Sequence, residues 1–266
     1  MTSCVTKHQH LKKWSLALIL PWFLFSCDNS TQQTVTSADK ELLVYCGITM
    51  IQPMQEIASI IGKEQNAEIK ITKGGSGNLL KSIKTNQVGD LFLPGSDSYI
   101  KAASEEGLIQ TSALVGYNQA AIMVQKGNPK QINSDINNLI RDDLSVVLGS
   151  PESGSIGRET KNILTKAGIY DKAMTNTVSL TTDSKDLTKA IKEEKADLVI
   201  NWYATSFWEE NEPFMDALKI DETYAEKKKL VLGLLKFSKH PDVAQRFIDY
   251  AISPEGQAIF KKYGFL

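Results

Sequence analysis

Four short stretches of this chain place hydroxyl-bearing side chains where a helix is about to begin, three of them beside glycine. They are Gly47-Ile48-Thr49, Gly74-Gly75-Ser76-Gly77-Asn78, Ser150-Pro151-Glu152-Ser153-Gly154-Ser155 and Thr181-Thr182-Asp183-Ser184. A helix start offers about four unpaired backbone N–H groups and roughly half a positive charge. Glycine lets the backbone approach a ligand closely, and Ser or Thr adds a donor hydroxyl. Several such starts aimed at one point bind an anion without any basic side chain. Ser, Thr and Asp are also the preferred helix N-caps, so spacing alone does not establish that the four converge. Arg158 follows the third stretch and stands where a first-turn guanidinium reaches the same anion, though it reads better as a surface arginine on a helix.

Catalytic chemistry is poorly served by the same residues. A Gly-x-Ser-x-Gly elbow fails around Ser76, where the fifth residue is Asn78, and around Ser155, where the first is Ser153. Gly149 to Ser155 has the glycine spacing of a phosphate-binding P-loop, but Ser155 occupies the position of its lysine. Beyond residue 27 the chain carries one cysteine, Cys46, and one histidine, His240. That inventory excludes an intrachain disulfide and argues against a His/Cys metal site. No cofactor is expected. A serine hydrolase is the rival class, and it requires a base beside its serine.

The elements that would position these stretches alternate along the chain. Leu42–Gly47, Ala67–Thr72, Asp90–Pro94, Ala120–Gln125, Leu144–Leu148, Ala196–Trp202 and Leu230–Phe237 read as strands. Met50–Gln65, Asn78–Asn86, Ser96–Glu106, Ile156–Ala167 and Lys185–Glu194 read as helices, and two more, Pro241–Ile252 and Pro254–Tyr263, close the chain. Strict alternation predicts parallel sheets with helices on both faces. In such sheets ligands sit outside the carboxyl ends of the strands, where the four stretches fall.

The first residues read as an address. Lys7, Lys12 and Lys13 precede an apolar run from Trp14 to Phe25 that is shorter than the ~20 residues of a transmembrane helix. This is the pattern of a secretory signal peptide, and its end at Ser26-Cys27 resembles the bacterial lipoprotein box, which implies lipidation at Cys27. Asp28 after the cysteine implies, by the same resemblance, retention at the cytoplasmic membrane. Residues 28–41, rich in Ser, Thr, Gln and Asp, read as a flexible tether. Removing residues 1–27 takes away three lysines and no acid, moving the formal net charge from −1 to −4. A mildly acidic body does not suit nucleic acid, which demands a basic patch.

The runs LLVYCGITMIQPMQEIA, GGSGNLLKSI and GDLFLPGSDSYI, with SPEGQAIFKKYGF at the end, carry a family resemblance. Between them, SPESGSIGRETKNIL and ADLVINWYATS occupy the places of two further family segments. Together they resemble the periplasmic molybdate-binding proteins of ABC transporters, over essentially the whole body from about residue 42. The resemblance implies an α/β, type II periplasmic-binding-protein fold: two lobes with parallel-rich sheets, flanking helices and a two-strand hinge. Lobe 1 would be residues 42–115 with 238–266, and lobe 2 residues 116–237. It implies a tetrahedral oxyanion, molybdate or tungstate, bound between the lobes, with sulfate, phosphate or a small organic acid as alternatives. Carried over by position, the hydroxyl donors are Thr49 and Ser76, and the backbone donors are Ile156 and Ser184. The family tyrosine aligns on Trp202, with Tyr203 beside it. The implied partners are the permease and ATPase subunits of an importer, reached by a monomer held at the membrane through its lipid and facing the periplasm or cell exterior.

Overall fold

The computed structural model describes residues 40–265. The expected signal peptide, Cys27 and nearly all of the expected tether lie outside the described residues.

The first half runs β1 (Lys40–Gly47), α1 (Ile51–Gln65), β2 (Ala67–Gly74), α2 (Ser76–Asn86), β3 (Leu91–Leu93), α3 (Asp97–Glu105) and β4 (Ile109–Asn118). Then come β5 (Ala120–Gln125), β6 (Val146–Gly149), α4 (Ser155–Lys166), α5 (Tyr170–Asn176), β7 (Thr177–Thr181), α6 (Ser184–Lys192), β8 (Leu198–Trp202) and β9 (Met215–Lys219). The chain ends with β10 (Lys228–Leu235), α7 (Pro241–Ile252) and α8 (Pro254–Lys262). Two five-stranded sheets result, ordered β2-β1-β3-β10-β4 and β7-β6-β8-β5-β9. The two lobes join where the backbone crosses between sheets: at Gln119, between β4 and β5, and through residues 220–227, between β9 and β10.

Apolar spacing explains the helices that flank each sheet. Met54, Ile57, Ala58 and Ile61 form the buried stripe of α1, and Asn66, in the left-handed region at φ 49°, ends that helix. Pro254 occupies the first position of α8, where its missing N–H costs nothing, and the Ser253 hydroxyl accepts from the Gly256 N–H at 3.2 Å. In β1, Leu42, Val44, Tyr45 and Cys46 are all buried, as strands covered on both faces require.

Three departures from the sequence expectation share one cause. The sheets are mixed, because β10 runs antiparallel between β3 and β4 and β5 runs antiparallel between β8 and β9. Residues 228–235 therefore pair in the first sheet, whereas the sequence reading assigns them to the second lobe. β4 and β9 fall in stretches read as connections: four of the ten residues of β4 are exposed and both strands are sheet edges, so neither shows a buried-strand pattern. The first strand also begins at Lys40, inside the expected tether.

Asp90 fastens the end of the chain to the first lobe. Its carboxylate, 4% exposed, accepts from the Leu43 N–H at 2.8 Å. The other oxygen accepts from the Ser238 hydroxyl at 2.6 Å and the Lys239 N–H at 3.1 Å. β1 and the β10–α7 turn are thus tied through one side chain. Hydrogen bonds to a charged group contribute about 1.5–3 kcal/mol each, not fully additively, so Asp90→Ala should lose about 3–5 kcal/mol of stability in urea denaturation. A loss below about 1 kcal/mol would show that the tie is dispensable.

Candidate functional site

β1, β2 and β3 are parallel, so all three carboxyl ends lie along one edge of the first sheet. β6, β7 and β8 do the same for the second sheet. The chain leaves each edge through a short turn into a helix, and the two sets of turns meet across the cleft. A small cavity of about 10 Å3 lies between them, room for roughly one water. Lobe 1 contributes Gly47, Ile48, Thr49, Gly74, Gly75, Ser76 and Gly95 to its wall. Lobe 2 contributes Gly154, Ser155, Ile156, Asp183 and Ser184. All four sequence stretches therefore converge on one point.

The walls are held by hydrogen bonds, several of which cross the cleft. The Thr49 hydroxyl donates to the Ser184 hydroxyl at 3.2 Å. The N–H groups of Gly77 and Asn78 donate to the Ser153 carbonyl at 3.0 and 3.4 Å. Within lobe 1, the Ser76 hydroxyl accepts from the Gly95 N–H at 3.0 Å. In lobe 2, the Ser155 hydroxyl accepts from the Trp202 indole Nε1 at 3.2 Å. Thr49, Ser76 and Ser184 are each 2% exposed. Such approach requires bare backbone. A methyl on Gly75 would run into the Ser153 carbonyl and lie 2.8 Å from that of Thr182, and one on Gly154 would lie 2.9 Å from the Thr182 carbonyl.

The electrostatics are those of fixed dipoles. Asp183 is the one titratable side chain on the cavity wall, and its Oδ1 is engaged as the α6 N-cap, accepting from the Lys185 and Asp186 N–H groups at 2.8 and 3.2 Å. Arg158 is not on that wall. Its guanidinium carbon stands 3.8 Å from the ring centroid of Tyr99, in α3 of the opposite lobe. One residue on, the buried Glu159 pairs with Lys228 at 3.3 Å. Burial raises the Glu159 carboxyl above its ordinary range, against the opposing pull of Lys228.

The structure thus brings together Thr49, Ser76, Ile156 and Ser184, and sets the other expected residues apart. Trp202 is buried behind Ser155 and orients its hydroxyl. Tyr203 faces away, stacking edge-on with Phe207 at 5.4 Å and lining an apolar hollow with Phe260 and Phe265. Gly95 is a wall residue outside the four stretches, and Ser155, the last residue of the third, adds its side chain to the wall. The signal for Gly95 was available: Pro94-Gly95-Ser96 ends β3 and opens α3 with the same chemistry as the other four turns. A larger polar hollow of about 820 Å3 lies elsewhere, between Gln119, Asp135 and Lys227. None of the four hydroxyl-rich stretches lines it.

The sequence profile of the bacterial extracellular solute-binding proteins matches residues 42–266. YvgL of Bacillus subtilis, provisionally named an ABC transporter substrate-binding lipoprotein, is 27% identical over 263 residues, covering 96% of this chain and 98% of that one. The molybdate-binding protein ModA of Escherichia coli is 22% identical over 235 residues, covering 85% and 88%. The structure of the periplasmic molybdate-binding protein of Azotobacter vinelandii superposes with a TM-score of 0.74 at 16% identity, covering 85% of this chain and 98% of that one. That likeness confirms the two-lobe type II fold.

Because Gly75 has an ordinary extended backbone, φ −66° and ψ 137°, alanine fits it locally and collides only across the cleft. Gly75→Ala should therefore leave thermal stability nearly unchanged while separating the lobes, seen as a larger radius of gyration in small-angle scattering. An unaltered scattering profile would show that the cleft tolerates the methyl.

Proposed function

The chain belongs to the bacterial extracellular solute-binding proteins, and from that premise we propose that it captures a tetrahedral oxyanion between its lobes for an ABC importer. The observation that carries this reading is the convergence of helix starts from both lobes on one cavity walled by glycine, hydroxyls and a single carboxylate. Neutral donors of that kind suit a compact, fully deprotonated dianion. Molybdate or tungstate fits best, given the name of the ModA relative; sulfate shares the same chemistry. Phosphate and small organic acids are the remaining candidates, with Asp183 the group placed to accept a ligand proton.

In this reading the Thr49 hydroxyl exchanges Ser184 for a ligand oxygen, the Ser76 and Ser155 hydroxyls keep accepting from Gly95 and Trp202 while donating their own O–H to the ligand, and the N–H groups of Ile156 and Ser184 donate beside them. A cavity of about 10 Å3 does not admit four oxygens, so binding parts the cross-cleft pairs, and the anion then replaces the Thr49–Ser184 bond as the bridge. Residues 40–118 with 228–265 move as one lobe and 120–219 as the other, turning about Gln119 and 220–227. Trp202 acts through Ser155, and Tyr203 and Arg158 act outside the cavity. Binding without chemical conversion, by a monomer, completes the role, and the permease and ATPase subunits of the importer receive the anion.

A thermal-shift screen against molybdate, tungstate, sulfate, phosphate and organic acids identifies the ligand, and calorimetry with it tests the donors. Each hydroxyl bonded to a charged ligand contributes about 1.5–3 kcal/mol, so Thr49→Ala and Ser76→Ala should each weaken binding roughly ten- to a hundredfold. Affinity should change little with ionic strength, because short-range dipoles carry recognition. Undiminished affinity in both variants would refute the assignment.

The same role places the protein outside the cytoplasm, anchored to the membrane through Cys27. Ser26-Cys27-Asp28 at the end of the apolar run supports this. Metabolic labelling with a fatty acid should mark the wild type and not Cys27→Ser; equal labelling of the two would exclude the anchor.

A further inference from the structure

Arg158 stands in the first turn of α4, two residues after a cavity-lining N–H, yet its guanidinium turns away from the cavity to the other lobe. There it sits over the face of Tyr99, 3.8 Å from the ring centroid, and Nη1 donates to the Ser98 hydroxyl at 3.4 Å. Tyr99 is 1% exposed and packs with Leu79, Phe92 and Ile100 in lobe 1. Its hydroxyl has no hydrogen-bond partner, so the ring face is what this residue presents. The neighbouring Glu159 joins Lys228, the first residue of β10. One helix of lobe 2 is therefore joined to lobe 1 through two successive residues, while its amino end borders the cavity.

Resting on the reading of the cleft as an anion receptor, we propose that Arg158 is a closure latch that stacks on Tyr99 as the lobes meet and slows anion release without touching the anion. Stacking of this kind exists only in the closed arrangement, because its two halves belong to different lobes. It therefore adds to the stability of the closed form and leaves the encounter between anion and open cleft unchanged. The geometry also explains how a cation so near the cavity stays out of it: the Tyr99 face and Ser98 hydroxyl satisfy it within lobe 1.

The test combines stopped-flow kinetics with molybdate and sulfate and pulsed dipolar distance measurement between spin labels at Lys81→Cys and Lys172→Cys. These are exposed helix positions on opposite lobes. A desolvated cation–π contact corresponds to roughly a two- to thirtyfold change in an equilibrium. Arg158→Ala should speed anion release by that factor without slowing association, and should shift the ligand-free distances towards longer values. Arg158→Lys, which keeps the charge but loses the planar fork, should fall between, and Tyr99→Phe, which keeps the ring, should release as the wild type does. Unchanged release and distances in Arg158→Ala would overturn the latch. So would abolished binding together with a steep salt dependence in the wild type, since the guanidinium would then be an anion ligand. If the wild type binds neither anion, the molybdate and sulfate assignment fails by itself, and the ligand-free distances still decide the latch: lengthening in Arg158→Ala supports it, and identity with wild type overturns it.

Discussion

Backbone amides recognise a ligand only where no side chain stands between them and it, and that constraint shapes this cleft. Gly75 and Gly77 on one lobe bring main chain against the Ser153 backbone of the other, and Gly95 leaves room for the Ser155 side chain. The consequence is chemical as well as steric. A wall of amides and hydroxyls has fixed dipoles, needs no counter-ion of its own, and carries almost no side-chain entropy to lose when a ligand is fixed. Lysine or arginine in the same place would add long-range attraction at the expense of that rigidity.

Sheet order imposes the convergence. In both sheets a run of parallel strands puts successive helix starts along a single edge, and the two backbone crossings turn those edges towards each other. The antiparallel strands serve a different purpose: β4 with β10 and β5 with β9 are the strands whose ends become the crossings. Each sheet thus divides its labour, parallel strands presenting the site and antiparallel ones joining the lobes. Asn118, beside the first crossing, donates to the Gly95 carbonyl at 3.3 Å, so that crossing is tied directly to the cavity wall.

Much of this was legible in the sequence because it rests on local chemistry. The amphipathic stripe of α1, the proline that opens α8 and the hydroxyl-rich turns after β1, β2, β6 and β7 are all written within a few residues. What escaped depends on partners distant along the chain. β4 and β9 have mixed burial because each is the edge strand of its sheet, so neither period nor composition marks them. β10 reads as a strand, but its sheet is set by pairing with β3 and β4, more than a hundred residues away. Arg158 is similar: its position after Ser155 points into the cavity, and only the ring of Tyr99 across the lobes draws it out.

The insertion of β10 between β3 and β4 also governs the order in which this molecule can be built. Lobe 2 is one continuous stretch, with every strand pair formed inside residues 120–219. Lobe 1 waits for a strand that begins at Lys228 and for two helices that follow it. Its late contacts span long loops, among them Asp90 with Ser238, Glu64 with Arg246 and Glu56 with Lys262. Contacts of such sequence separation form slowly, after the entropy of loop closure has been overcome. A chain that emerges amino end first therefore completes its second lobe before its first. Until residue 235 is available, β3 and β4 lack the strand that joins them, and half of the candidate site has no finished sheet to stand on.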